Sequence, residues 1–318
     1  MIGIIGSGFG LYGHFPAAAI LSKQTILFPK RYKSKLESRT ELAHLSNRIS
    51  WQKEEDEILK KANCVILSVR PVDQVKLIKK CFENPNIKNL ILEKPLALTP
   101  ILSDAILKEL LSSKINFRIT YSFIYTNWFN ELCKHIKNKH LDLNVITINW
   151  NFFANHYDLN LNNWKRFNSM GGSVIRFYGV HIIALLSALG FKNVEYSNTF
   201  GISEDDNFRW NVKFTCEKGR SCEVIIDSMS KVNDFQIQMY NKTQKDSVHS
   251  IKLLDPFSDT EPLVSGLDSR IEVVMNVHRS LMNREGDEFY YDLYQITNQL
   301  WLEVENKNVY SNHNLAQN

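Results

Sequence analysis

The sequence lacks the features that mark several large classes of protein. It has no apolar stretch of the roughly 18 residues that a membrane span needs. It also has no basic run or aromatic-basic stripe of the kind that binds nucleic acid, and 38 basic against 34 acidic side chains leave a net charge of only +4. We therefore expect neither a membrane nor a nucleic acid as a partner.

Cysteine is scarce and follows no ligand pattern. The five cysteines are an odd number and lack metal-ligand spacing, so we expect no metal site and a location in the reducing cytoplasm. The first five residues contain no basic segment and no cleavage site, and they are typical of a strand rather than of a secretory leader.

Short apolar runs alternate with helical patterns over the first 120 residues. The runs lie at 2–5, 25–28, 65–69, 90–92 and 117–121, and the helical patterns near 53–62, 75–81 and 100–112. Apolar strands without alternation, separated by helices, are typical of a parallel sheet covered on both faces. We predict a doubly wound α/β domain of the Rossmann type over residues 1–120.

The pattern changes after residue 121. Strand-like runs with partial alternation follow one another at 144–153, 194–200, 210–216, 222–230, 235–240 and 249–254. Helical patterns near 173–190, 270–283 and 288–302 are expected to cover one face of the resulting sheet. A chain of 318 residues is long enough for two cores. We predict an α+β domain over 121–318, with a mainly antiparallel or mixed, open-faced sheet.

A glycine-rich turn follows the first strand. It consists of Gly6, Ser7, Gly8, Phe9 and Gly10. Such a turn lets a pyrophosphate approach the backbone at a helix N-terminus, although the usual third glycine of G-x-G-x-x-G is replaced by Leu11. The pattern predicts a dinucleotide site; the alternative is a plain glycine turn.

The second strand ends without the acidic residue that usually accepts hydrogen bonds from the adenosine ribose. Lys30 and Arg31 follow it instead. Two cations at this point favour a 2′-phosphate, and hence NADP over NAD, although the alternative of two solvated surface charges is nearly as good.

Two further segments carry polar groups at positions where ligands bind. Glu93-Lys94-Pro95 ends a central strand, where a lysine can hydrogen-bond a substrate hydroxyl. The segment 171–181 begins with two glycines, continues into an apolar helix and ends at His181. Tyr178 lies near the same helix face as His181. Taken alone, a strand-end lysine is usually a surface residue, and a histidine on an apolar helix is usually structural.

Together, the glycine turn, Glu93-Lys94-Pro95 and the segment 171–181 resemble the glucose-fructose oxidoreductase/inositol dehydrogenase (Gfo/Idh/MocA) family. The resemblance covers most of the chain. It implies a Rossmann domain followed by an open-faced sheet domain, and assembly as a homodimer or homotetramer through that sheet. It also implies NAD(P)-dependent oxidation or reduction of sugars, cyclitols or sugar nucleotides.

The resemblance implies roles for individual residues. Lys94 corresponds to the lysine that contacts substrate and nicotinamide, and the bond to Pro95 is often cis in relatives. His181 corresponds to the histidine that exchanges the substrate hydroxyl proton. The expected cofactor contacts are Gly6, Ser7, Gly8, Phe9, Gly10, Lys30, Arg31, Ser68, Arg70, Pro71, Glu93 and Lys94. The expected substrate contacts are Lys94, Trp164, Lys165, Arg176 and His181.

One position departs from the family pattern. The family's aspartate, four residues before the histidine, corresponds to Phe177, which can neither orient a substrate by hydrogen bonding nor share a proton. Three interpretations remain. Tyr178 or Arg176 supplies the missing polar group; or Lys94 and His181 suffice for another substrate or for a redox-neutral reaction with retained cofactor; or the chain has lost catalysis and acts as a dinucleotide-binding regulatory or assembly protein.

Overall fold

The computed structural model describes residues 1–137, 143–217, 219–241, 249–257, 266–284 and 286–312. The chain forms two compact units that interleave along the sequence. The first comprises Met1–Ala97, Ala105–Thr126 and Phe257–Tyr291, and the second comprises Leu98–Asp104, Asn127–Pro256 and Asp292–Asn318. The boundary expected near residue 121 remains a prediction about domains.

A six-stranded parallel sheet forms the core of the first unit. Its strands are β1 (Ile2–Ile5), β2 (Ile26–Pro29), β3 (Ile49–Gln52), β4 (Cys64–Leu67), β5 (Asn89–Leu92) and β6 (Asn116–Ile119). Their order is β3-β2-β1-β4-β5-β6, with every neighbouring pair parallel. The strand order reverses between β1 and β4, and ligands of doubly wound sheets bind at the carboxyl ends of the strands at such a point.

β1 and β2 are buried throughout, and β4, β5 and β6 are buried at all but their first residue, as expected for a sheet with helices on both faces. The helices associated with the first unit are α1 (Phe15–Leu21), α2 (Lys33–Glu37), α3 (Glu55–Lys61), α4 (Pro71–Phe82) and α5 (Pro100–Ser112). The predicted strands and helices of this region are therefore present, and β3 is an additional edge strand. A π-helical turn, Gly10–His14, precedes α1.

The second unit is built on a mixed sheet of seven strands. They are β7 (Val145–Phe153), β8 (Asn193–Gly201), β9 (Asn207–Thr215), β10 (Ser221–Asp227), β11 (Met229–Tyr240), β12 (His249–Leu253) and β13 (Asn308–Asn312). Their order is β12-β11-β7-β10-β9-β8-β13. The pairs β7–β10 and β8–β13 are parallel, and the other neighbours are antiparallel. The predicted fold class is confirmed.

Alternation along the strands separates the two faces of this sheet. In β9, Phe208, Trp210, Val212 and Phe214 are buried, and the residues between them are half-buried. The remaining helices of the chain are α6 (Asn127–Lys137), α7 (Asn155–Asp158), α8 (Val180–Ala188), α9 (Ile271–Asn283) and α10 (Asp287–Asn306). A π-helical stretch, Val174–Gly179, leads into α8, which is almost wholly buried.

The expected location of α9 is wrong. The pattern at 270–283 was assigned to the second sheet, but α9 belongs to the first unit, where it packs on α1 and β6. The apolar face of α9 is buried there, and a buried arginine adds specific contacts. The Arg118 guanidinium in β6 donates to the Ser280 carbonyl oxygen at 2.8 Å and to its hydroxyl at 3.1 Å.

Two general features bear on the expected environment of the chain. None of the helices in the described ranges is long and apolar enough to cross a membrane. All five cysteines lie within those ranges, and each is a free thiol.

Candidate functional site

The glycine turn lies where β1 ends, and its glycines are required for different structural reasons. Gly6 has φ +142°, and a Cβ there would lie 2.0 Å from the Ser68 carbonyl oxygen. A Cβ at Gly10 would lie 3.1 Å from the Ser68 Cβ and 3.5 Å from Ile4, so this glycine allows the turn to pack closely on β1 and β4. Gly10 thus allows the close packing that the third glycine of the usual G-x-G-x-x-G pattern allows.

No contact within the described part of the protein requires a glycine at position 8. A Cβ at Gly8 would meet no described atom within 4 Å. Space beside a glycine at the carboxyl edge of a parallel sheet, at its switch point, is what a pyrophosphate needs in order to approach the backbone. The turn therefore fits a dinucleotide.

The cations after β2 are arranged differently from one another. Arg31 is ion-paired with Glu55 and stacks on the Tyr32 ring at 4.8 Å, while Lys30 is exposed. A third cation, Lys35 in α2, places its ammonium 3.4 Å from the Ser7 hydroxyl of the glycine turn. Lys35 is not predicted from the sequence, because it lies beyond the strand end where such cations usually occur.

Glu93 is held by several groups of the first unit. Its Oε1 accepts from the Ser68 hydroxyl at 3.3 Å and lies 3.1 Å from Nε2 of the buried His14. The amide of Gln74 in α4 bonds the backbone on both sides: its Oε1 accepts from the Glu93 N–H at 2.9 Å, and its Nε2 donates to the Glu93 carbonyl at 2.8 Å. Gln74 and His14 are two residues that sequence reasoning missed.

Lys94 follows Glu93 at the end of β5, and the Lys94-Pro95 peptide bond is cis, as the resemblance implied. Arg70 and Pro71 begin α4, where Arg70 forms an ion pair with Asp73 at 2.8 Å and is half exposed. The structure thus brings Gly6, Gly10, Ser68 and Glu93 together at one edge of the sheet.

Phe9 and its neighbours connect the glycine turn with the late part of the first unit. The Arg270 guanidinium lies 4.5 Å from the centre of the Phe9 ring and pairs with Asp268 at 2.8 Å. Burial alone would raise the pKa of Asp268, but the hydrogen bonds from Arg270 and the charge of that residue together lower it. Asp268 is therefore ionised at neutral pH and balances the cation over the turn.

In the second unit, His181 and Tyr178 lie in the apolar segment that follows the two glycines. His181 is 1% exposed and Tyr178 is 9% exposed. The Tyr178 ring meets Phe152 at 4.7 Å and stacks on His156 at 6.2 Å. Burial raises the pKa of Tyr178, so its hydroxyl stays protonated and can act as a hydrogen-bond donor.

Phe177 lies in an aromatic and cationic environment. Its ring contacts Trp164 edge-on at 5.4 Å, and the Lys165 ammonium lies 5.3 Å from the ring centre. Gly172 brings these segments together, because a Cβ there would lie 2.1 Å from the Trp164 carbonyl oxygen. Trp164, Lys165 and Phe177 therefore form one cluster, with a cation–π contact where the resemblance implies a carboxylate.

Arg176 is engaged elsewhere in the second unit. Its guanidinium binds both carboxylate oxygens of Glu305 at 2.7 Å and donates to the Asn168 carbonyl oxygen at 2.6 Å. In the same unit, Tyr157 donates to Asp206 at 2.7 Å, and Arg166 pairs with that carboxylate at 2.6 Å. His156, beside Tyr157, is buried; burial, followed by the charges of Lys165 and Arg166, lowers its pKa to about 4.

Comparison with known proteins gives structural likeness only. No family model matches the chain, and no curated protein matches it. KijD10, a 3-ketoreductase from Actinomadura kijaniata in complex with NADP and TDP-benzene, has 10% sequence identity and a TM-score of 0.72, with 98% of each chain covered.

Two further solved structures have the same fold. GenD2 from gentamicin A biosynthesis, in complex with NAD, is 11% identical over 96% of this chain and 93% of its own, with a TM-score of 0.69. A super-repressor mutant of Gal80p from Saccharomyces cerevisiae is 12% identical over 96% and 95%, with a TM-score of 0.72. At such identities the likeness shows the fold: a Rossmann-type unit followed by a sheet domain.

Proposed function

We propose that the chain is an NAD(P)-dependent oxidoreductase acting on a hydroxyl carbon of a sugar, a cyclitol or a nucleotide-linked sugar. The observation that carries the proposal is the glycine turn, where Gly8 keeps open a space that no described side chain uses. Fold likeness to a 3-ketoreductase bound to NADP and to a protein bound to NAD supports the same class. A fold alone hosts many functions, so the residues must carry the rest.

The chain's own residues have separate tasks in this proposal. A bound nicotinamide would accept a hydride from the carbinol carbon, or supply one to the corresponding carbonyl carbon. Lys94 donates a hydrogen bond to the substrate oxygen and stabilises the charge that develops on it. His181 exchanges the hydroxyl proton, as the resemblance implies, and Tyr178 is the candidate donor in place of the missing aspartate. Trp164 and Lys165 are the proposed substrate contacts, whereas the engagement of Arg176 with Glu305 favours a structural role for that residue.

The proposed cofactor is NADP rather than NAD. Lys30 is exposed, and Lys35 reaches the Ser7 hydroxyl, so both can approach a 2′-phosphate. Arg31 is already paired with Glu55, which weakens its candidacy. The remaining proposed contacts are Ser68, Glu93 and the backbone of the turn; Arg70 and Pro71 follow from the resemblance.

Dinucleotide binding is tested with a substitution at Gly8. Because a Cβ at this position meets no described atom, Gly8→Val should leave the melting temperature nearly unchanged and abolish tryptophan-fluorescence changes on titration with NADP or NAD. Gly6→Ala is the contrasting variant, since its Cβ would clash with the Ser68 carbonyl and destabilise the fold. Wild-type protein that binds neither dinucleotide, oxidised or reduced, would refute the proposal.

A second candidate function is that of a catalytically impaired relative that binds a dinucleotide as a regulator or assembly protein. Phe177 favours it, since a ring held by Trp164 and Lys165 replaces the expected carboxylate. A Gal80p super-repressor mutant has the same fold. Protein that carries bound nicotinamide but turns over no member of a broad sugar panel would favour this candidate.

We also propose that the chain forms a homodimer or homotetramer through the sheet of the second unit. The support for this proposal is the family resemblance of the sequence, which implies assembly through the open-faced sheet. Sedimentation analysis measures the oligomeric state, and a monomer at micromolar concentration would contradict the proposal.

A further inference from the structure

A buried chain of hydrogen bonds runs through the first unit and ends on Glu93. His14 Nε2 lies 3.1 Å from Glu93 Oε1, and His14 Nδ1 lies 3.2 Å from His278 Nε2. The His14 side chain is fully buried and His278 is 6% exposed. The three residues come from the turn before α1, the end of β5 and the middle of α9, so tertiary structure alone brings them together.

The partners decide which nitrogens carry protons. An ionised carboxylate only accepts hydrogen bonds, so His14 must carry its proton on Nε2. Burial, with the charge of His14 as a second cause, lowers the pKa of His278 well below its usual range, and His278 is therefore neutral. When His14 is neutral, His278 Nε2–H donates to the bare Nδ1 of His14; when His14 is charged, its Nδ1–H donates to a bare Nε2 of His278. In both forms His278 bonds Nδ1 of His14, and the Nε2–H of His14 is directed at Glu93.

The side-chain hydrogen bonds to Glu93 involve only one of its two carboxylate oxygens. Both side-chain contacts, from His14 and from the Ser68 hydroxyl, are made to Oε1. No side chain within the described ranges bonds Oε2, and the Glu93 side chain is 15% exposed. Gln74 fixes the backbone of the same residue. One oxygen is thus held in place by two side chains, and no described side chain holds the other.

We propose that His14, oriented by His278, is a positioning residue that aims Oε2 of Glu93 at a hydrogen-bond donor of the bound dinucleotide. The donors that the nicotinamide half offers are its carboxamide N–H groups and its ribose hydroxyls. The ligand in this inference rests on the proposed function, whereas the hydrogen-bond chain belongs to the protein without a ligand.

Substitutions separate positioning from packing. His14→Phe keeps the ring that packs against Phe9 at 5.4 Å and removes both nitrogens. His14→Gln places an amide N–H near the position of Nε2. We expect His14→Phe to weaken binding of the preferred dinucleotide about 10- to 100-fold, the usual effect of losing a hydrogen bond to a charged group. His14→Gln should restore most of that affinity, which a purely structural role would not predict.

A double-mutant cycle tests whether the effect passes through Glu93. In a Glu93→Gln background, His14→Phe should cause little further loss of affinity, because the group being positioned is already changed. Additive losses would overturn the inference. If His14→Phe does not fold, His14→Met gives a second apolar variant for the same cycle.

Nitrogen-15 spectra of the imidazoles give a readout that needs no ligand. Unliganded protein should show His14 protonated at Nε2, and His278→Phe should reduce that preference. A His14 that is bare at Nε2 would overturn the inference, whether or not dinucleotide binds. Wild-type protein that binds dinucleotide while His14→Phe binds it equally well would overturn the inference and leave the proposed function intact.

Discussion

Phe177 occupies the position at which the resemblance implies an aspartate, and its surroundings agree with the change. A carboxylate beside the Lys165 ammonium would form an ion pair, whereas the ring forms a cation–π contact and packs on Trp164. The neighbouring Tyr178 retains a protonated hydroxyl, because burial raises its pKa. The cluster therefore has an aromatic ring where the resemblance implies a carboxylate that can share a proton, and the Tyr178 hydroxyl lies on the next residue.

The catalytic roles proposed for Lys94 and His181 predict a particular kinetic signature. Lys94→Ala and His181→Ala should each lower turnover by at least about 100-fold, since positioned acid–base groups contribute about 10²- to 10⁴-fold. Dinucleotide affinity should change little. Steady-state kinetics on a substrate found in the sugar panel, together with fluorescence titration, measure both effects.

The control for this comparison is Lys79→Ala, which removes an exposed lysine of α4. It should retain full turnover. If both Lys94→Ala and His181→Ala stay active, the assignment of these two residues is wrong. Tyr178→Phe adds a finer comparison, because it should reduce turnover only if the tyrosine hydroxyl takes the place of the missing carboxylate.

Among the elements, α9 comes late in the sequence but packs in the unit whose sheet is formed by the first 120 residues. It supplies His278 to the chain of bonds that reaches Glu93, and Ser280 to the buried Arg118 of β6. The same arginine pairs with Asp287 at the start of α10 at 2.5 Å. The Rossmann-type sheet of this protein therefore depends on residues about 160 positions further along the chain than β6.

The pairing of Arg118 with Asp287 gives a stability prediction. Arg118 is fully buried, so Asp287→Asn would leave a charge inside the protein without its carboxylate. Removing one partner of a buried pair costs about 3–5 kcal/mol, and Asp287 is partly exposed, so we expect a loss of about 3 kcal/mol in unfolding free energy. Urea denaturation measures it.

Asp292→Asn, an exposed position on the same helix, is the matched control and should change the unfolding free energy by less than about 0.5 kcal/mol. Equal stability of the two variants would show that the other partners of Arg118, among them Ser280 and the Phe117 carbonyl oxygen, compensate its charge.

At the scale of the whole molecule, two of the buried histidines, His156 and His278, predict how stability depends on pH. His156 has its pKa lowered to about 4, and the pKa of His278 is also lowered, in both cases first by burial. Each binds a proton more weakly in the folded chain than in the unfolded chain. The unfolded state therefore takes up more protons as the pH falls below about 6.5, and the folded state loses stability.

Above about pH 6.5 the two histidines should not change the free energy of unfolding. Below that pH the free energy of unfolding should fall progressively toward pH 4, by up to about 3 kcal/mol for His156. Urea denaturation at pH 7, 6 and 5 measures the slope. His156→Phe should flatten it, whereas His44→Gln, at an exposed position, should not. Parallel slopes in wild type and His156→Phe would contradict the prediction.

The amino-acid sequence by itself determined most of the elements and the glycine turn. Apolar runs without alternation predict β1, β2, β4, β5 and β6 because buried parallel strands need apolar side chains on both faces. Alternation likewise predicts the strands of the second sheet. The edge strands β3 and β13 were not predicted, because they are only partly buried and their sequences contain few apolar residues in a strand pattern.

Tertiary structure alone decided which distant residues meet. Nothing local in α9 indicates that His278 bonds His14, 264 residues away, or that the helix packs with β6 instead of the second sheet. A periodic pattern tells which face of a helix is buried but not what buries it. Sequence determined the glycine turn and the lysine at the end of β5; packing decided how Glu93 beside that lysine is held.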